Sequence, residues 1–92
     1  MDNLHPKTVE FRRILETTEG LKVTATRLEV AQAVFTADGP VSALSLTYQL
    51  NEGGRRRPIG YATVYRTLHL LADHLLVDRT LPVETLYQAC EA

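Results

Sequence analysis

Apolar positions recur at helical spacing in four stretches of the chain and then at alternate positions in a fifth. Phe11, Ile14, Leu15 and Thr18 share one face and predict a helix over about Pro6 to Thr18. Pro6 suits its first turn, and Gly20 supplies the stop. A second helix begins at Thr24, whose hydroxyl suits an N-cap. Ala31, Val34, Phe35 and the near side of Leu28 form its buried face, and Asp38-Gly39-Pro40 ends it. Ser42 caps a third, lined by Ala43, Leu46, Thr47 and Leu50 and closed by Asn51-Glu52-Gly53-Gly54. Arg55 to Pro58 read as a solvated loop, and Ile59 as a one-residue strand contact. A fourth helix follows Gly60 and runs from Tyr61 to Asp73. Tyr61, Val64, Leu68 and Leu71 lie on one face, with Ala62, Thr63, Arg66, His69 and Leu70 opposite.

After His74 the period changes to two. Leu75 to Leu81 and Thr85 to Cys90 read as strands joined through Pro82-Val83-Glu84. The fold class is therefore mostly α with a small antiparallel β-hairpin, the outline of a winged helix-turn-helix. A lone hairpin is marginal and must pack on the helices. At 92 residues and 45% hydrophobic content, one domain over residues 1–92 with one core is expected, and a deep enzymatic cleft is hard to build.

The formal net charge of −1 is low for a nucleic-acid binder, but its distribution is uneven. Residues 53–72 carry Arg55, Arg56, Arg57 and Arg66 with no acid between them, and Lys22 and Arg27 lie in a second acid-free stretch. The start of the fourth helix offers small and hydrogen-bonding side chains with a charge one turn later. Such an end can approach a major groove closely, although the same pattern also fits a solvated face. The one cysteine, Cys90, excludes an intrachain disulfide and a CxxC pair. The polar opening segment is unlike a signal peptide, and no apolar run reaches membrane-spanning length, so a cytoplasmic protein with no membrane partner is expected. Ser42 reads as a cap, Cys90 as a strand residue, and the three histidines are dispersed, so no catalytic constellation emerges and no enzyme is expected.

The runs GLKVTATRLEV (20–30), VSA (41–43) and IGYATVYRTL (59–68), together with the leucine-rich passage through Leu70, Leu71, Leu75, Leu76 and Val77, resemble the amino-terminal DNA-binding half of the ferric uptake regulator (Fur) family. ATVYR at Ala62 to Arg66 is the most specific of these. The resemblance implies a metal-responsive repressor whose fourth helix enters the major groove of double-stranded DNA. Tyr65 would meet a thymine methyl or the sugar-phosphate edge, Arg66 a phosphate or guanine, and Thr63 the backbone beside Ala62. It further implies that Lys22 approaches the minor groove and Arg27 a phosphate. Arg55, Arg56 and Arg57 occupy a loop about two residues longer than in typical relatives; the pattern fits a solubility patch as well as an added phosphate contact, and the phosphate contact is expected because the loop adjoins the recognition helix.

The chain also departs from the family pattern. Pro40 stands where relatives often carry a metal-ligating histidine, and the CxxC pairs of many members are missing. His5, His69, His74 and Cys90 form no ligand set at suitable spacing. No metal or other cofactor is expected here, and metal sensing would need the family's carboxy-terminal dimerisation and metal-binding domain, expected to be absent from residues 1–92. Asp73-His74-Leu75 stands where relatives end the recognition helix with glycine, and His74 is expected to take the left-handed conformation. The short, acidic wing turn predicts a weak minor-groove grip. Leu70 stands out as a surface leucine that, with Leu44 or the wing, would form a protein contact. Two functions follow. One is a DNA-reading regulator acting as a homodimer or as a heterodimer with a related regulator. The other is a protein-interaction module that modulates a full-length regulator without reading DNA.

Overall fold

The computed structural model describes residues 4–80 and 86–90. Four helices are followed by two strands: α1 (Pro6–Thr17), α2 (Ala25–Phe35), α3 (Ala43–Asn51), α4 (Tyr61–Asp73), β1 (Val77–Thr80) and β2 (Leu86–Ala89). Each helix start has a local cause. His5 Nδ1 accepts the Lys7 N–H ahead of Pro6, and Thr24 Oγ1 accepts the Arg27 N–H. Ser42 and Ser45 form a reciprocal capping box at α3. Gly60 caps α4 without a side-chain hydrogen bond.

α2 packs against α1, α3, α4 and β2, and is the hub of the fold. The core is built from Phe11 and Leu15 of α1, Val30, Ala31, Val34 and Phe35 of α2, Ala43 and Leu46 of α3, and Val64, Leu68 and Leu71 of α4. Ile59, Leu76, Val77 and Tyr87 close it. Two threonines join this interior because their hydroxyls are satisfied. Thr8 donates to Gln32 Oε1 at 2.8 Å, and Thr67 donates to the Thr63 carbonyl at 2.8 Å. Thr18, expected on the buried face of α1, is instead its exposed C-cap.

β1 and β2 pair antiparallel with Val77 opposite Ala89 and Arg79 opposite Tyr87. A bond from the Cys90 N–H to the Leu76 carbonyl extends the ladder. A third segment joins through an isolated bridge, in which Val41 and Tyr87 exchange N–H···O bonds of 2.8 and 2.7 Å. The single-residue pairing expected of Ile59 is therefore made by Val41. Ile59 binds the side chain of Asn51 instead. β1 begins at Val77 rather than Leu75 and β2 ends at Ala89 rather than Cys90, and the stretch 81–85, with the turn at Pro82 to Glu84, lies outside the described residues.

The end of α4 also differs from expectation. His74 has φ −98° and ψ 12°, whereas Leu75 takes the left-handed conformation with φ 62°. The Leu75 N–H donates to the Ala72 carbonyl at 3.0 Å and the Leu76 N–H to the Leu71 carbonyl at 2.9 Å. This is the Schellman pattern, with leucine in the position glycine usually fills. The left-handed residue falls one place later because His74 still donates to Leu70 and completes the helix.

Candidate nucleic-acid interface

α4 buries Val64, Thr67, Leu68 and Leu71 and turns its other side outward. Ala62 and Arg66 are exposed, with Thr63 and Leu70 flanking them on the α2 side and Tyr61, Tyr65 and His69 on the β2 side. No acid lies in the first turn.

The α2 flank is polar and basic. Arg27, Thr63, Arg66, Thr67 and Leu70 line a cleft of about 130 Å³. Arg27 Nη1 donates to the Lys22 carbonyl at 2.6 Å, which ties the Lys22 segment to the start of α2. Lys22 itself is exposed. Two arginines reached separately from the sequence thus share one depression. Their guanidinium groups offer forked donors, and the exposed Thr63 adds a hydroxyl, a set suited to phosphate oxygens. Leu70 belongs to this cleft and packs against the core, so it is not the free surface leucine that its helical position suggested.

The arginine loop divides into two parts. Arg55 is half-buried and paired: both terminal nitrogens bond the Glu29 carboxylate, with Nη2 to Oε1 at 3.0 Å, and Nε donates to the Arg57 carbonyl at 3.2 Å. The hydrogen bond to Glu29 raises its pKa further. Arg55 therefore braces the loop against α2, whereas Arg56 and Arg57 are exposed. A second cleft of about 410 Å³ runs from Thr24 and Glu29 past Arg55 and Arg57 to Gly60 and Thr63, and so adjoins the first.

The β2 flank is aromatic. Tyr61 and Tyr65 stack at 6.0 Å with planes 19° apart, and Tyr65 meets His69 at 4.3 Å. His69 lies 6.3 Å from the ring of Tyr87, which is 1% exposed. Tyr65 is thus held between two rings while remaining 42% exposed. Tyr61, whose spacing assigned it to the core face, is 50% exposed and belongs to this column. The i, i+4 steps from Tyr61 to Tyr65 and from Tyr65 to His69 were the available signal.

The histidines are engaged elsewhere than in a ligand set. His5 caps α1 and lies 5.5 Å from Phe35, and His69 sits between tyrosines. Among the described residues, no group of three His, Cys, Asp or Glu side chains could hold a metal ion. Nor is any described helix long and apolar enough to cross a membrane.

The fold is similar to two solved ferric uptake regulators. The Helicobacter pylori protein, described as having three functional metal-binding sites, aligns with a TM-score of 0.78 at 20% identity over 100% of this chain and 64% of that one. The Pseudomonas aeruginosa protein, solved with manganese, aligns with a TM-score of 0.75 at 27% identity over 96% of this chain and 63% of that one. The chain therefore spans slightly less than two thirds of each. No curated protein matches it by sequence. Four helices with the antiparallel hairpin and these likenesses make the fold a winged helix. The family model described as the ferric uptake regulator family, whose members are transcription regulators and not enzymes, matches residues 18–89. With most of its length inside that match, the chain belongs to the ferric uptake regulator family.

Proposed function

We propose that this chain is a DNA-binding transcriptional regulator, a repressor, that lays α4 in the major groove of double-stranded DNA. The observation that carries this reading is the convergence of Arg27, Thr63 and Arg66 on one cleft beside the acid-free start of α4. Ala62 is small enough for close approach to base edges. Arg66 binds a guanine or a phosphate, Tyr65 a thymine methyl, and Thr63 and Arg27 the backbone. Lys22 reaches toward the adjacent minor groove. Arg56 and Arg57 add phosphate contacts, and Arg55 braces the loop that carries them. A lone domain makes few phosphate contacts, so a homodimer or a heterodimer with a related regulator would occupy two half-sites. Such a regulator works in the cytoplasm, where the DNA is, and this mode of contact uses no metal held by the described residues.

Titration of a promoter-like duplex at about 50 and 200 mM salt tests the reading. About five phosphate contacts would give a log–log slope of roughly −4 to −5. The paired substitutions Y65A and R66A should abolish the preference for that duplex. Affinity that ignores salt, or a double variant that binds as before, would overturn the assignment. The alternative, a module that binds a regulator without reading DNA, draws on the near-neutral charge and on Leu70, and the packing of Leu70 against the core removes the second of these supports.

A further inference from the structure

Tyr61 is a large aromatic residue left half exposed at the first position of α4, and neither the core nor the basic cleft accounts for it. Its ring stacks on Tyr65, so the two form one flat apolar surface on the β2 flank of the helix. The far side of Tyr65 is fixed by His69, and His69 in turn by buried Tyr87. The column is anchored in the core at one end and open at the other, where Tyr61 stands. A preformed aromatic surface can cover apolar groups without first losing rotamer freedom. In a major groove, the apolar groups that distinguish one base pair from another are the thymine methyls.

We propose that Tyr61 is a second base-reading residue, which with Tyr65 recognises two separate thymine methyl groups. The inference rests on α4 entering the major groove, as proposed above. Tyr61 starts the helix and Tyr65 follows one turn later, so each ring meets its own base pair.

The test uses a duplex selected from a random pool by the wild-type chain, with each thymine replaced singly by deoxyuridine. Wild-type affinity should fall about fourfold at each of two positions, the worth of one buried methyl group. Y61A should lose sensitivity at one position, keep it at the other and retain the wild-type salt slope. Y61F should keep both. Y65A should show the converse loss, and gives a readout should Y61A fold poorly by circular dichroism. The inference is overturned if Y61A responds to every replacement as wild type does. It is equally overturned if Y61A loses both positions together, because Tyr61 would then only prop Tyr65. R66A on the same duplex separates the two levels. If R66A is without effect and wild-type binding ignores salt, the reading of α4 fails and this inference with it.

Discussion

The side-chain amide of Asn51 grips the backbone of Ile59 from both sides: its Nδ2 donates to the Ile59 carbonyl and its Oδ1 accepts the Ile59 N–H, each at 2.8 Å. The same Nδ2 also donates to the Thr47 carbonyl at 2.8 Å. Asn51 therefore does for Ile59 what a neighbouring strand would do, and fixes the entry to α4 against the end of α3. Three part-buried hydrogen bonds at about 0.5–1.5 kcal/mol each make N51A destabilising by roughly 1.5–4.5 kcal/mol, with more lost where a backbone group stays dry. N51D should be no better, because a carboxylate cannot donate to the Ile59 carbonyl. Thermal unfolding of both variants checks this, and an unchanged midpoint for N51A would contradict it.

Leu75 presents the opposite case, a residue whose replacement should help. Its φ of 62° costs a leucine roughly 1–2 kcal/mol, and its side chain is 79% exposed, so little packing opposes the change. L75G should stabilise the domain by about 1 kcal/mol, a rise of about 4–8 °C in melting temperature. L75A retains the strained conformation and should gain little. A lower midpoint for L75G would show that the leucine side chain contributes more than its backbone costs.

The elements of this fold were legible because their causes are local. Thr24 and Ser42 cap helices through oxygens three residues from the amides they bind, and α4 has the bounds Tyr61–Asp73 that its periodicity predicts. Edges of buried faces were less legible. Tyr61 and Leu70 lie near opposite margins of the buried arc of α4, and the neighbours decide which margin is covered. α2 covers Leu70, while the column leading to Tyr87 leaves Tyr61 half open. Val30 is buried because α2 meets four other elements, a breadth its own spacing does not record. Arg55 looked solvated because Glu29, its partner, lies 26 residues away in sequence. Of the interface, Arg27, Thr63 and Arg66 could be named from sequence, but that they share a cleft depends on how α2 packs on α4.

Tyr87 carries a buried hydroxyl with no hydrogen-bond partner among the described residues. Burial raises its pKa above the ordinary value of 10.0; nearby Tyr65 pushes the same way, Arg79 opposes, and Tyr61 adds the smallest upward push. Removing an unpaired buried hydroxyl should leave Y87F as stable as wild type, or more stable by up to about 1 kcal/mol. The pH dependence has a definite sign. Below pH 10 both folded and unfolded chains keep the proton. Above it the unfolded chain ionises first, so this group's contribution to stability is lost as pH rises toward the folded pKa. The advantage of Y87F over wild type should therefore widen above pH 10 in denaturant titrations. A constant difference across that range would contradict the raised pKa.

Glu29 is the acid among the residues that line the two clefts of the proposed phosphate-binding surface. It lines the cleft that also holds Arg57 and Thr63, and it occupies the guanidinium of Arg55. Replacing it with glutamine removes one negative charge facing the DNA and leaves Arg55 uncompensated beside Arg56 and Arg57. E29Q should therefore bind a given duplex more tightly than wild type, most clearly at low salt. Its log–log salt slope should steepen by about one unit as Arg55 gains a phosphate. E29Q combined with R55A should return the slope to the wild-type value, which separates a freed Arg55 from a general change in field. Weaker binding by E29Q would mean that the brace on the arginine loop matters more to DNA contact than the charge it neutralises.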